Sequence, residues 1–478
     1  MRLTLGLMAT FLLAIAMIVA NTSGNGSEAA SEPAPEAAAK SDAAKPSDAK
    51  PTTDRLIVHE WGTFTSFSGS DSVKLEFRPL VDVDLPFFVF DRGRQAGVPR
   101  LFGKFNLRVL QRMETPVTYF YTDRARQVNV RVGFPQGLLT EFYPPVQEML
   151  PKYDPKKPAP LTDSMLDWGK VWIIPDDRLQ IDVDDEQLAA KLHRRVLQRL
   201  LPQTYAPNHY AYARETDSAL VYVEREANKK LPLAPRGAYF EKFLFYRGVG
   251  NFELPLELSA QRGGRFELTN LRSETIRSLF LVTLDGDELR FVKYDKIDGG
   301  ERLTLEQSEA TSSIDELSEA VVQALIDEKL YEKEARAMVK TWKSSWFGEQ
   351  GTRLFYMLPQ STTDQLLPLD IQPTPDEMVR VMVGRMEIMR PEDEARITEL
   401  VKKNHQDRVA LAKKVAEFPD VEHKPLPLPK SIIALGRLGE PALVRVKHIA
   451  KDAKIRTEAD YLLSQLRSYR NALAAAGG

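Results

Sequence analysis

Val117-Thr118-Tyr119-Phe120-Tyr121, followed after a short polar stretch by Val128-Asn129-Val130-Arg131-Val132, sets the fold class. Both runs are built from β-branched and aromatic residues, and the second alternates apolar with polar side chains. That period and composition predict strands, with Thr122 to Gln127 as a hairpin loop between them. Leu56-Ile57-Val58, Val81-Asp82-Val83-Asp84-Leu85 running into Phe87-Phe88-Val89-Phe90, and Leu138 to Tyr143 repeat the pattern. Residues 55–145 are therefore expected to form a first antiparallel β domain of sandwich type.

Residues 146–235 read as a mixed α/β connecting segment. Val171-Trp172-Ile173-Ile174 is a short strand, Asp185 to Leu200 an amphipathic helix, and Leu220-Val221-Tyr222-Val223 a strand again. Residues 236–310 return to period two, with turns at Gly263-Gly264 and Asp285-Gly286-Asp287, and predict a second β domain. Residues 311–390 form a helix–strand segment. Ser313 and Glu316 make a capping-box pattern, Leu330-Tyr331 marks a helix break, and strands follow at Arg353 to Leu358 and Val379 to Met389. Pro391, with Glu392, Asp393 and Glu394 behind it, opens a helical C-terminal region over 391–478. The expected fold class is α+β: two antiparallel β-sandwich-like domains, then the helix–strand segment and the helical C-terminus.

The N-terminus is of another kind. Met1-Arg2 precedes an apolar run from Leu3 to Ala20, the pattern of a secretory signal, with an uncleaved anchor as the alternative. Residues 21–54 are Ala, Pro, Ser, Glu and Lys, without the large apolar side chains that offset ordering entropy, and read as a disordered spacer. The expected location is outside the cytoplasm, periplasmic or extracellular, with membrane contact only through residues 1–20 if they are retained.

Composition closes several routes. Of 478 residues, 65 are Lys or Arg and 67 Asp or Glu, so there is no basic excess of the kind nucleic-acid binders carry. The absence of cysteine removes disulfides, thiolate metal sites and thiol nucleophiles. No phosphate-binding Gly-x-x-x-x-Gly-Lys-Ser/Thr loop, nucleophile elbow or dinucleotide-binding glycine set is present. No cofactor is indicated.

Several segments together carry a likeness: His59-Glu60-Trp61-Gly62-Thr63-Phe64-Thr65, Met113-Glu114-Thr115-Pro116, Phe134-Pro135-Gln136-Gly137, Glu241 to Gly248, and Thr341 to Phe347. The set resembles a family of exported bacterial proteins of the kind planctomycete genomes encode, over most of residues 55–390. The resemblance implies envelope or extracellular placement and one coherent architecture, and it brings no catalytic residues with it. Ala434 to Leu443 with Ile455 to Leu463 is similar to a single HEAT-type repeat. One copy is not an array, so the pair is expected to dock on the body.

Five residues are candidates for chemistry. His59 and Glu60 sit where a strand meets a Gly-containing loop. His59 suits a metal ligand or general base, or alternatively a histidine hydrogen-bonded within a sheet corner. Alternation sends the two to opposite faces unless the chain bends. Glu114 and Glu141 belong to strands of one predicted sheet and suit a carboxylate acid–base pair; surface pairing with Arg112 or Arg131 is the alternative. His209 lies in a polar, aromatic loop and is a second metal candidate beside His59. Asp176, Asp177, Asp182, Asp184 and Asp185 lack the calcium-loop spacing and suit a helix cap. Trp342 and Trp346, four apart on a helix, suit core packing.

Two functions follow. The first is an exported binding or scaffolding module with a glycan or an envelope protein as partner. The second is a metal- or carboxylate-dependent hydrolase of an envelope or extracellular polymer. Convergence of at least three of the five candidates in one cleft separates them.

Overall fold

The computed structural model describes residues 54–78, 85–92, 107–152, 154, 157, 159–175, 196–204, 208–226 and 236–476. The N-terminal apolar run, the spacer up to Thr53, the strand expected at Val81 to Asp84, the acidic run and most of the helix expected from Asp185 lie outside the described residues.

Residues 55–145 give β1 (Ile57–Ser68), β2 (Phe90–Asp91), β3 (Gln111–Tyr121), β4 (Arg126–Phe134) and β5 (Gly137–Tyr143). The connecting segment adds β6 (Glu148–Leu150), β7 (Ser164–Ile174), a 3-10 turn at His209–Arg214, and β8 (Leu220–Arg225). Next come β9 (Gly237–Glu241), β10 (Leu244–Gly250), β11 (Leu256–Ala260), β12 (Arg265–Asn270), β13 (Ile276–Asp285), β14 (Glu288–Ile297) and β15 (Arg302–Glu306). Helices α1 (Ile314–Asp327) and α2 (Glu332–Phe347) precede β16 (Gly351–Leu358), α3 (Gln360–Leu366), β17 (Leu369–Gln372) and β18 (Glu377–Ile388). The C-terminal region holds α4 (Pro391–Glu417), α5 (Lys430–Ile433), α6 (Gly439–Ile449) and α7 (Ala453–Ala476).

The class is α+β. A nine-stranded sheet runs β14-β13-β16-β18-β1-β3-β10-β5-β2, beside a six-stranded sheet around β4, β7 and β8 and a three-stranded one of β11, β12 and β15. The large sheet takes strands from both β segments and from 311–390. Its centre is the parallel pair β1–β18, in register from Ile57 opposite Glu377 to Ser68 opposite Ile388.

One expectation is corrected. The runs ending at Tyr121 and starting at Arg126 are not a hairpin. β3 pairs with β1 and β10, whereas β4 pairs with β7 and β17 in the six-stranded sheet. The polar stretch between them is a crossover from one sheet to the other. Alternation marks each strand but carries no record of its neighbour.

One apolar core joins strands of all three sheets to α1 and α2. The Ser313–Glu316 capping box forms, and the helix breaks between Asp327 and Glu332. Trp342 and Trp346 are buried. A second core holds the C-terminal helices against one end of the large sheet: Phe67, Leu138, Val249 and Met389 meet Ile397, Val401, Leu443, Val446 and Leu462. The helical pair is therefore docked on the body. Coverage of both faces explains why every residue of β1 is buried, its polar ones included.

Candidate functional site

Burial of β1 on both faces leaves each of its polar side chains dependent on a partner within the protein. His59 points toward α2, where its Nδ1 lies 2.7 Å from Glu334 Oε2. The Tyr121 hydroxyl donates to Glu334 Oε1 at 2.6 Å, and the Tyr331 backbone N–H donates to Oε2 at 2.9 Å. The Tyr331 and Tyr121 rings close over the imidazole, with centroids at 4.4 and 5.5 Å. Burial, then Glu334, holds the Tyr121 hydroxyl well above its usual range.

Glu60 points the other way. Its Oε1 accepts from Thr118 Oγ1 at 2.9 Å and from the Tyr246 hydroxyl at 2.7 Å. Its Oε2 accepts from Arg380 Nε and Nη2 at 2.8 and 2.6 Å. The remaining Nη1 of Arg380 reaches Asp364 of α3 at 2.8 Å. Both oxygens of the carboxylate are spent.

Glu114 occupies a third place, at the end of the sheet under the C-terminal helices. It accepts from Thr65 Oγ1 at 3.0 Å and Arg437 Nη1 at 2.8 Å, with Arg112 Nε at 3.2 Å. Burial by itself would raise its pKa; Arg437, Arg112, Arg385 and Arg247 outweigh it and hold the carboxyl well below the usual range. The same cluster continues through Glu349 and Glu387, which bind Arg437, Arg385 and Arg353. Arg353 also donates to the carbonyls of Trp346, Glu349 and Gln350, closing the C-terminal end of α2.

Glu141, on β5, accepts from the Thr140 hydroxyl and stands opposite Arg247 of β10. Strand β10 separates β5 from β3, placing the Glu141 and Glu114 backbones two strand spacings, about 10 Å, apart. Surface pairing is corrected here. Arg112 does pair with Glu114, but both carboxylates are buried rather than at the surface, because the sheet is covered on both faces, and Arg131 pairs with Asp167. His209 opens the 3-10 turn, which Asn208 caps, and its ring lies 5.6 Å from Trp342.

His59 and Glu60 thus diverge, as strand alternation requires. His59 and His209 both meet α2, but at Glu334 and Trp342, about 12 Å apart along the helix. Glu60 and Glu114 belong to separate polar clusters. Among the described residues no group of three His, Cys, Asp or Glu side chains is placed to hold a metal ion.

Sequence reasoning missed Glu334, Arg380, Arg385, Glu387 and Arg437. For three of them a signal existed: Arg380, Arg385 and Glu387 interrupt an otherwise apolar run in β18. Charges inside a strand buried on both faces imply buried partners.

The same sheet end carries a groove of about 610 Å³. Leu284, Ile388, Met389, Leu435 and Leu438 supply its apolar surface, while Arg390, Asp393 and Arg396 supply charge. The size and mixture are those of ligand sites. The turn Gly436–Leu438 divides the two regions, with Arg437 entering the Glu114 cluster and Leu438 the groove.

No family model matches the chain, and no curated protein matches it. Among solved structures, the yeast delta-COP-I mu-homology domain is similar at 9% identity over 71% of this chain and 97% of that one, with a TM-score of 0.23. The same domain complexed with a Dsl1 WxWxV peptide gives 8% identity over 71% and 98%, with a TM-score of 0.22. Scores this low carry no argument about fold or function. No helix among the described residues is long and apolar enough to cross a membrane.

Proposed function

We propose that this chain is an exported binding or scaffolding protein of the cell envelope, related to the planctomycete-type family it resembles, and that it engages a glycan or an envelope protein in the groove between the large sheet and the C-terminal helices. The groove carries this reading: apolar walls from Leu284 of β13, Ile388 of β18 and the Leu435 and Leu438 side chains, and a charged rim from Arg390, Asp393 and Arg396 at the start of α4. Export is supported by the apolar run from Leu3 to Ala20.

The hydrolase reading has one observation in its favour, the 2.7 Å His59–Glu334 pair, which orients an imidazole as a general base needs. Against it, His59, Glu60 and Glu114 are each at most 1% exposed, and a polymer has no approach to them.

Co-sedimentation of the purified protein with peptidoglycan sacculi and with outer-membrane fragments tests the proposal. Ala434 is exposed and lines the groove, so Ala434→Trp fills it without disturbing the core. Sedimentation lost in Ala434→Trp is the expected result. No sedimentation of the unmodified protein, or sedimentation that this substitution leaves intact, overturns the groove. Release of reducing ends that stops in His59→Ala would favour the hydrolase. A reporter fused behind Asp54 that stays in the cytoplasm would overturn export.

A further inference from the structure

On the other side of the Gly436–Leu438 turn from the groove lies a small cavity of about 10 Å³, the room of one water-sized group. Arg78, Arg112, Arg437 and Arg470 line it, with Thr65 and Glu440. Among the described residues, few carboxylates are bound to these arginines. Glu114 serves Arg437 and Arg112, Glu349 serves Arg437, and Glu440 serves Arg467 at 2.9 Å, with Arg470 3.9 Å away. Glu349 also serves Arg385 and Glu440 is shared with Arg467, so the four guanidinium groups lining the cavity outnumber the carboxylates that reach them among the described residues.

Arg78 is the member left over. It is half-buried, and among the described residues it makes no hydrogen bond or ion pair; its Nε is buried without a partner. Burial, then Arg467, holds its pKa below the ordinary arginine value, with Glu440 opposing and Arg108 adding to the depression. Arg470 is also lowered by burial, against the pull of Glu440. A guanidinium nitrogen buried without a partner is costly unless an acceptor completes it, and an anion in the cavity would supply one.

We infer that this cavity is a phosphate-binding site in which Arg78, with Arg112, Arg437 and Arg470, receives one oxygen of a phosphate monoester or of inorganic phosphate. The guanidinium fork suits oxyanions in general. Four guanidinium groups around one cavity favour phosphate, which carries about −1.5 to −2 at neutral pH and several acceptor oxygens, over a carboxylate, which carries one charge. The room for one oxygen has the remaining oxygens, and any alcohol esterified to them, stay at the mouth. The site is separate from the groove, so the failure of either leaves the other standing.

The test is thermal unfolding and calorimetric titration of the full chain with inorganic phosphate, glucose 6-phosphate, acetate and sodium chloride at matched ionic strength. Phosphate is expected to raise the melting temperature and to bind with a one-to-one stoichiometry; acetate and chloride are not. Glucose 6-phosphate binding as well as phosphate assigns an esterified group, and binding of phosphate alone assigns the free ion. Arg78→Met, which breaks no existing pair, is expected to melt at or above the unmodified temperature without phosphate and to lose about tenfold or more in affinity. Equal stabilisation by acetate or chloride, no binding of phosphate, or full affinity in Arg78→Met would each overturn the inference.

Discussion

Arg380 grips Glu60 with two hydrogen bonds, of 2.6 and 2.8 Å, across the parallel strands β18 and β1. Both side chains are essentially inaccessible to solvent, and the residues are 320 positions apart. A pair of this kind is held by mutual neutralisation, and removing one member strands the other.

Arg380→Met is therefore expected to destabilise the protein by about 3–5 kcal/mol in urea unfolding. Pairing it with Glu60→Leu should cost much less than the sum of the two single changes. Additive losses would show that the charges do not depend on one another.

Acid should weaken the sheet end before the rest. Arg437 and its fellow arginines outweigh burial and hold Glu114 below the ordinary glutamate value of 4.5; Arg353 and Arg385 likewise outweigh burial at Glu387. A depressed carboxyl contributes stability that is complete above its unfolded pKa and is lost as the pH falls through the folded one. Urea midpoints should thus fall steadily from about pH 4.5 downward. Glu114→Gln should be less stable than the unmodified protein at neutral pH and should show a shallower fall in acid. Parallel curves would count against this account.

Lys74 should act in the opposite range. Burial lowers its pKa from 10.5 to about 8, against the pull of Glu257 and Glu253. The unfolded chain then binds the proton more tightly than the folded one between those values, so stability rises with pH across that window. Lys74→Met removes the cost of burying the charged amine. Its advantage should be full below pH 8, shrink toward pH 10.5, and be read as a difference in melting temperature. A constant difference across the window would refute the assignment.

Gly384 is fixed by its cross-strand neighbour. A Cβ there would overlap the ring of Tyr356, which lies opposite it in the β16–β18 register. Gly384→Ala should cost about 1–3 kcal/mol or more by overpacking. Tyr356→Ala made in the same chain should recover the part due to the clash, as judged by the non-additivity of the two changes.

Local features were readable from the sequence because their causes are local. The capping box needs only Ser313 and Glu316, three residues apart, and both of its hydrogen bonds form. Trp342 and Trp346 share a helix face at one-turn spacing, and both are buried. The class, α+β with a helical C-terminus, followed from where period two gives way to helical spacing. Partners were not readable. Glu334 reaches His59 over 275 positions, and β4 leaves the sheet of β3 for another, and neither fact leaves a trace in residue order. Glu114 and Glu141 look like solvated strand charges, and only the second layer over the sheet makes them buried ones.

The parallel pairing of β1 with β18 sets a timetable for synthesis. A nascent chain has made β1 long before its central neighbour emerges from the ribosome, because Ile57 waits for Glu377. At the usual pace of translation the delay is on the order of tens of seconds. Throughout it, one edge of a strand destined for full burial is open to mispairing until the last strand arrives.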